Sequence, residues 1–302
     1  MAFYSEHRWA SFQSGERTLG LKTPVLPVPP WRGESVPAGS TLLVLHEQDF
    51  GDALQFCRYL PMALDRFERV AYVCPAPLRR LFEHSLCARW PNLVLLEETP
   101  AGRSAWTHYC ALMSLPMCLG TRLDTIPAPV PYLFADPRRT FDWPASASPR
   151  IGLVWVGGHT GTTAGARRSI APEKLAAVLS CPGVQWISLQ KAESDTKQLP
   201  PALAERIIDR MGEVSDFADT AALISTLDFV IAVDTSVAHL AAAMGKRVWL
   251  LNRFAGCRRW LCEHDDTCGI LAFVSSQTAR GDWDSVLENV RAELRAITRA
   301  PR

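Results

Sequence analysis

The chain has 302 residues, of which 48% are hydrophobic and 21% charged, and its formal net charge is +1. That balance belongs to a globular protein with room for two ordinary domains or one large one. It excludes a broad electrostatic footprint for nucleic acid, so any anion site must be local. The N-terminus, "MAFYSEHRWASFQSGER", lacks the apolar segment of a signal peptide, and no apolar run is long enough to span a bilayer. The expected address is cytoplasmic, with at most peripheral membrane contact. Nine cysteines, from Cys57 to Cys268, read as reduced core residues in such a chain. Cys257, Cys262, His264 and Cys268 cluster, but without the CxxC spacing of a structural zinc site.

In chain order, residues 20–40 carry Pro24, Pro27, Pro29, Pro30 and Pro37 and read as an irregular lead-in. "STLLVLH" (40–46) is then a buried strand and Asp52 to Leu64 a helix. "ERVAYVC" (68–74) is a strand, "APLRRLFEHS" a helix and "NLVLLEE" a strand. Short apolar strands alternating with helices indicate a parallel sheet with both faces covered. The proline-containing stretch "ADPRRTFDWPASASP" (135–149) breaks this pattern, and the alternation then restarts. "RIGLVWVGG" is a strand and turn; "PEKLAAVLS" is a helix with Pro172 in its first turn. "VQWISLQ", "DFVIAVD" and "RVWLLN" read as strands, and "DTAALISTL" and "SVAHLAAAMG" as helices. The tail "DWDSVLENVRAELRAI" is amphipathic. The expected architecture is α/β: two Rossmann-like domains with parallel sheets facing a central cleft, divided into residues 1–145 (1–39 lead-in) and 146–302. The final helix, 283–298, is expected to pack back toward the N-terminal domain.

Ligands of such sheets bind beyond the carboxyl ends of the strands, which singles out four strand-to-helix junctions. In "EQDFGDALQFCRYLP" (47–61), Gly51 permits a tight turn, and Asp52 either caps the helix carrying Gln55 or acts as a general base. Glu47 is a second candidate base. The loop "GGHTGTTAGARRSI" (157–170) sets four glycines and three threonines beside Arg167 and Arg168. Those groups suit a phosphate, although the loop is neither a P-loop nor a dinucleotide fingerprint, and a plain surface loop is the alternative. Past "VQWISLQ", Lys191 can neutralise a departing phosphate or simply be solvated. Asp234, Thr235 and Ser236 lie where the next helix begins, with His239 about one turn on. Free backbone N–H groups and the positive end of the helix dipole suit a diphosphate there. The alternative is a capped helix with His239 in the core.

Several of these stretches also carry family patterns. "DTSVAHLAAAMGKRVWLL" resembles the D-T-[GAS]-x-x-H-L-A-x-A-x-G motif of the bacterial heptosyltransferases. "HEQDFGDALQFCRYLP" is similar to the E-Q-G-x-G-D-x-x-Q-F-x-R-Y segment of the glycosyltransferase-like domain that follows tetratricopeptide repeats in many bacterial proteins. "LMSLPMCLGTRLDTIPAPVPYL", "PGVQWISLQK" and "DFADTAALISTLDFVIAVDTSVAHLA" extend the likeness across roughly residues 30–290. It implies a GT-B glycosyltransferase that inverts configuration, takes a nucleotide-diphosphate sugar as donor and needs no metal or other cofactor. Asp52, Glu47 and Lys191 become the implied catalytic residues, and Gly51 and Gln55 the acceptor-side ones. Asp234, Thr235, Ser236, His239, Gln190 and Arg168 become the donor-binding set. The implied partners are the nucleotide-sugar and a glycan, lipid or protein acceptor. The sole D-x-D, Asp282-Trp283-Asp284, reads as a helix cap and not a metal clamp. Three stretches depart from the pattern. Asp49 replaces the glycine of E-Q-G, "GGHTGTTAGA" follows "GLVW", and "TCGILAF" follows "EHDD". "FYSEHRWASFQSGER" is read as the remnant of a last repeat helix. The rival function is an inactive member that retains the fold as a nucleotide-sugar or protein-binding module.

Overall fold

In a computed structural model of the chain, the described residues are 26–100, 106–122, 125–127, 129–158, 167–191, 199–254 and 271–299. The cluster Cys257, Cys262, His264 and Cys268, the repeat-helix reading of the N-terminus and most of the loop 157–170 lie outside them. The chain divides into two compact units, Met1–Phe134 and Ala135–Arg302.

The N-terminal unit holds strands β1 (Thr41–Leu45), β2 (Arg69–Val73), β3 (Leu93–Leu96) and β4 (His108–Ala111). All pair in parallel, in the order β3-β2-β1-β4. Helices α1 (Phe50–Phe56), α2 (Leu60–Ala63), α3 (Ala76–Phe82) and α4 (Leu115–Cys118) connect them. The single helix expected from Asp52 to Leu64 instead starts at Phe50 and breaks into a 3-10 turn over Cys57–Tyr59. Pro61 explains the break: it has no N–H to reach back four residues, and the Leu60 N–H bonds the Cys57 carbonyl instead. The lead-in is irregular but anchored. Trp31 is buried, its N–H donates to the Tyr109 carbonyl (2.8 Å), and Pro30 bridges Tyr109 in parallel fashion.

The C-terminal unit holds β5 (Arg150–Val154), β6 (Gln185–Ser188), β7 (Ile207–Asp209), β8 (Phe229–Val233), β9 (Arg247–Asn252) and β10 (Leu271–Ser276). This sheet is also parallel, in the order β10-β9-β8-β5-β6-β7. Its helices are α5 (Ala176–Leu179), α6 (Pro201–Ala204), α7 (Phe217–Ser225), α8 (Ser236–Ala243) and α9 (Trp283–Arg299). Every residue of β8 is buried, as a central strand covered on both faces requires; each large aliphatic side chain so buried contributes about 1.5–3 kcal/mol. The apolar stripe of α9, Trp283, Val286, Leu287, Val290 and Leu294, belongs to the core of this unit. Asp282 caps α9 by accepting the Ser285 N–H (3.1 Å), and Asp284 pairs with Lys174, so both carboxylates of the D-x-D are engaged.

The proline-containing stretch sides with the C-terminal unit through an arginine–aromatic ladder. Arg139 lies over Phe141 (4.3 Å), Arg210 over Phe141 and Trp143 (5.0 and 5.2 Å), and the Trp143 indole N–H donates to Thr226 (3.0 Å). Guanidinium planes stacked on rings tie down a segment that has no ladder of its own. Among the described residues, no helix is long and apolar enough to cross a membrane.

Candidate functional site

Each sheet has one point where strand order reverses, and ligands of open α/β sheets bind beside it. In the N-terminal sheet the reversal lies between β1 and β4; in the C-terminal sheet it lies between β5 and β8. The four loops leaving those strands carry most of the sequence-derived candidates.

Past β1 the chain runs His46, Glu47, Gln48, Asp49. Gln48 takes the left-handed backbone region (φ 63°), which lets the chain turn sharply into α1. Glu47 Oε1 accepts the Met113 N–H at 3.0 Å, joining the loop after β1 to the loop after β4. Asp49 caps α1. The expectation that Asp52 caps it is corrected, because the helix opens one turn early and puts Asp52 at its third position. There Asp52 closes a capping box, Oδ2 accepting the Asp49 N–H at 3.1 Å. The acid that departs from the family glycine therefore has a structural task. Asp52 is only 3% exposed and Gly51 is buried beside it, while one turn on Gln55 has a buried Oε1 with no partner among the described residues. His46 Nδ1 lies 2.8 Å from the Tyr72 hydroxyl, and burial lowers the His46 pKa from 6.5, against the pull of Asp49.

At the C-terminal reversal, Gln190 is buried and its Oε1 accepts the N–H groups of Trp155 (3.3 Å) and Val156 (2.9 Å). It thus closes the end of β5 with its carboxamide. Gly157 follows; a Cβ there would stand 2.7 Å from Arg168 Cβ, so only glycine lets Arg168 pack against this turn. The Gly157 N–H donates to Ser169 Oγ (3.1 Å), and Arg168 Nε is buried without a hydrogen-bond partner among the described residues. Lys191 is exposed just past Gln190.

Past β8 stand Asp234 and Thr235, then α8. Thr235 occupies the cap position in an extended conformation (φ −143°, ψ 167°), yet its side chain makes no capping bond. Thr235 Oγ1 is buried and has no partner among the described residues. A Thr at this place normally satisfies an orphan N–H of the first turn, and here its hydroxyl does not. Asp234 and His239 are nearly buried, with His239 Nε2 3.8 Å from Asp234 Oδ1. Ser236 is half-buried at the first turn.

The segment from α5 to the end of β9 decides the comparison. Residues 175–251 match the model of Glycosyltransferase family 9 (heptosyltransferase). The match takes in Gln190, Lys191 and the stretch Asp234 to His239. Among curated proteins, Protein FlbA of Caulobacter vibrioides is 24% identical over 313 residues, covering 95% of this chain and 52% of its own length. The chain therefore spans about half the length of that relative. Among solved structures, ADP-heptose lps heptosyltransferase II of E. coli aligns with a TM-score of 0.56 at 14% identity, over 85% of this chain and 98% of that one. A family 9 glycosyl transferase from Veillonella parvula aligns with a TM-score of 0.54 at 11% identity, over 86% and 97%. The two parallel sheets are those of the GT-B fold.

The site residues group by unit. Glu47, Gly51, Asp52 and Gln55 lie at the N-terminal reversal; Arg168, Gln190, Lys191, Asp234 and Thr235 follow strands at the carboxyl edge of the C-terminal sheet, and Ser236 and His239 lie in the first turns of α8. Sequence reasoning missed Met113, whose backbone N–H bonds Glu47, and Ser169, whose hydroxyl accepts the Gly157 N–H. Neither carries a chemical signature; only strand β4, unrecognised in the sequence, would have pointed to Met113.

Proposed function

We propose that the protein is a glycosyltransferase. It binds a nucleotide-diphosphate sugar at the carboxyl edge of the C-terminal sheet and passes the sugar, with inversion, to a hydroxyl of a glycan, lipid or protein. The observation that carries this reading is the buried Thr235 hydroxyl at the start of α8, which makes no capping bond and has no partner among the described residues. An anion there takes the N–H groups of the first turn of α8 and the Thr235 Oγ1–H together, and the helix dipole favours its charge. Lys191 and Arg168 supply the positive charge that a departing diphosphate needs, so no divalent metal is called for. The acceptor oxygen bonds the anomeric carbon as the bond to the diphosphate breaks, and Asp52 or Glu47 receives the hydroxyl proton.

Transfer and donor hydrolysis measured over a panel of nucleotide-sugars in EDTA test this directly. Turnover in EDTA supports it; complete dependence on Mn²⁺ sinks the metal-free part. A second reading has its own observation. Both candidate bases hold backbone N–H groups, Asp52 that of Asp49 and Glu47 that of Met113. Carboxylates so occupied suit a module that binds a nucleotide-sugar without turning it over. Calorimetric binding with no transfer to any acceptor favours that module.

A further inference from the structure

The N-terminal unit contains a sulfur pair that the proposed transfer does not use. Cys110 ends the buried part of β4, and Cys118 ends α4. Their Sγ atoms are 3.8 Å apart, and the residues are 3% and 7% exposed. Each also has a backbone carbonyl within reach: Cys110 Sγ is 3.3 Å from the Ala111 carbonyl oxygen, and Cys118 Sγ is 3.3 Å from that of Trp31. The pair therefore joins three pieces of chain: the lead-in at Trp31, strand β4 and helix α4. The segment it brackets contains Met113, whose N–H holds Glu47. The other described cysteines, Cys57, Cys74, Cys87 and Cys181, have no sulfur partner at this distance among the described residues.

We propose that Cys110 and Cys118 are a redox-closable dithiol that locks the backbone holding Glu47. Two sulfurs in van der Waals contact need to approach by only about 1.8 Å to reach disulfide length, which is within reach of side-chain rotation. The oxidant is a small disulfide, R–S–S–R. The Cys118 thiolate attacks one of its sulfurs and expels R–S⁻, giving a mixed disulfide. Cys110 loses its proton and attacks the Cys118 sulfur, expelling the second R–S⁻. One protein S–S bond replaces two S–H bonds, and two R–SH leave. Cys118 is the attacking sulfur for two reasons. It is the more exposed of the two, and the hydrogen bond it shares with Cys110 lowers its pKa, whereas the same bond, burial and the charge of Glu47 raise that of Cys110. Closure makes a small covalent ring around Ala111 to Met117 and stiffens the Met113 amide, whose N–H Glu47 accepts.

The test uses the folded full-length chain treated with oxidised glutathione, then denatured, alkylated and digested. The expected tryptic product is one peptide, residues 104–122, carrying an internal Cys110–Cys118 bond, unalkylated and lighter by two hydrogens. Cys118→Ser should abolish it and leave Cys110 alkylated. Amide exchange at Met113 should slow in the oxidised wild-type chain and not in Cys118→Ser treated alike. Full alkylation of both cysteines after oxidant treatment, or stable glutathione adducts without a cross-link, would overturn the dithiol. A cross-link with unchanged Met113 exchange would overturn its tie to Glu47.

Discussion

Asp49 and Asp52 close a capping box at the head of α1, with the Asp52 carboxylate on the Asp49 N–H at 3.1 Å. One carboxylate is thereby given two tasks, one structural and one proposed for catalysis, and they are separable. Asp52→Asn keeps an oxygen acceptor for that N–H but cannot take a proton, so its melting temperature should stay near wild type. Turnover should fall by about 100-fold or more if Asp52 is the base. Asp52→Ala should lose about 1 kcal/mol of stability in addition. Wild-type turnover in Asp52→Asn would transfer the role to Glu47.

Thr235→Val replaces an unpartnered hydroxyl with a methyl group of the same shape. Stability should be unchanged or slightly higher, because no hydrogen bond within the chain is lost. Affinity for nucleoside diphosphates should fall by about tenfold or more, since a bond from a hydroxyl to a charged oxygen is removed. Thermal melts and calorimetric titration of the two proteins give both numbers. A Val variant that melts early and binds normally would make Thr235 a cap after all.

His46 gives the N-terminal unit a pH dependence of definite sign. Burial lowers its folded pKa below 6.5, so between the folded value and 6.5 the unfolded chain holds more protons. Stability contributed by the neutral ring is full above 6.5 and is lost as pH falls through the folded value. His46→Gln should flatten that part of the curve, measured as melting temperature from pH 8 down to pH 5. An identical slope in the variant would assign the acid sensitivity to other groups.

Gly33 has φ 104°, and a Cβ there would lie 2.5 Å from the Cys118 carbonyl oxygen. Gly33→Ala therefore combines a backbone strain with a clash against main chain. It should cost about 2 kcal/mol or more, seen as a lower urea midpoint. The same variant should slow closure of the dithiol, because it pushes Cys118 off its present position.

Long central elements were legible because burial on two faces leaves a continuous apolar run. β1, β5, β8 and β9 were all read this way, and so was α8 up to its stop at Gly245, which has φ 72°. Strands β4 and β7 were not. β4 is only "HYCA", and β7 is three residues with Ile208 facing solvent, so neither shows a core pattern. Tertiary pairing, not local preference, makes them strands. The start of α1 was misplaced by one turn because Asp49 and Asp52 are equally good caps by composition. Only backbone geometry separates them.

The sequence alone determined the alternation of strand and helix, the restart after residues 135–149, and the residue types at the four junctions, because periodicity and caps are local properties of the chain. It could not decide which strands lie side by side. The order of the sheets, and with it the reversals at β1/β4 and β5/β8, depends on pairing between distant segments. That order brings Met113 to Glu47 and Gln190 to the end of β5. Whether Thr235 caps its helix was likewise decided by its surroundings. The residue type favours a cap, and the fold leaves its hydroxyl without one.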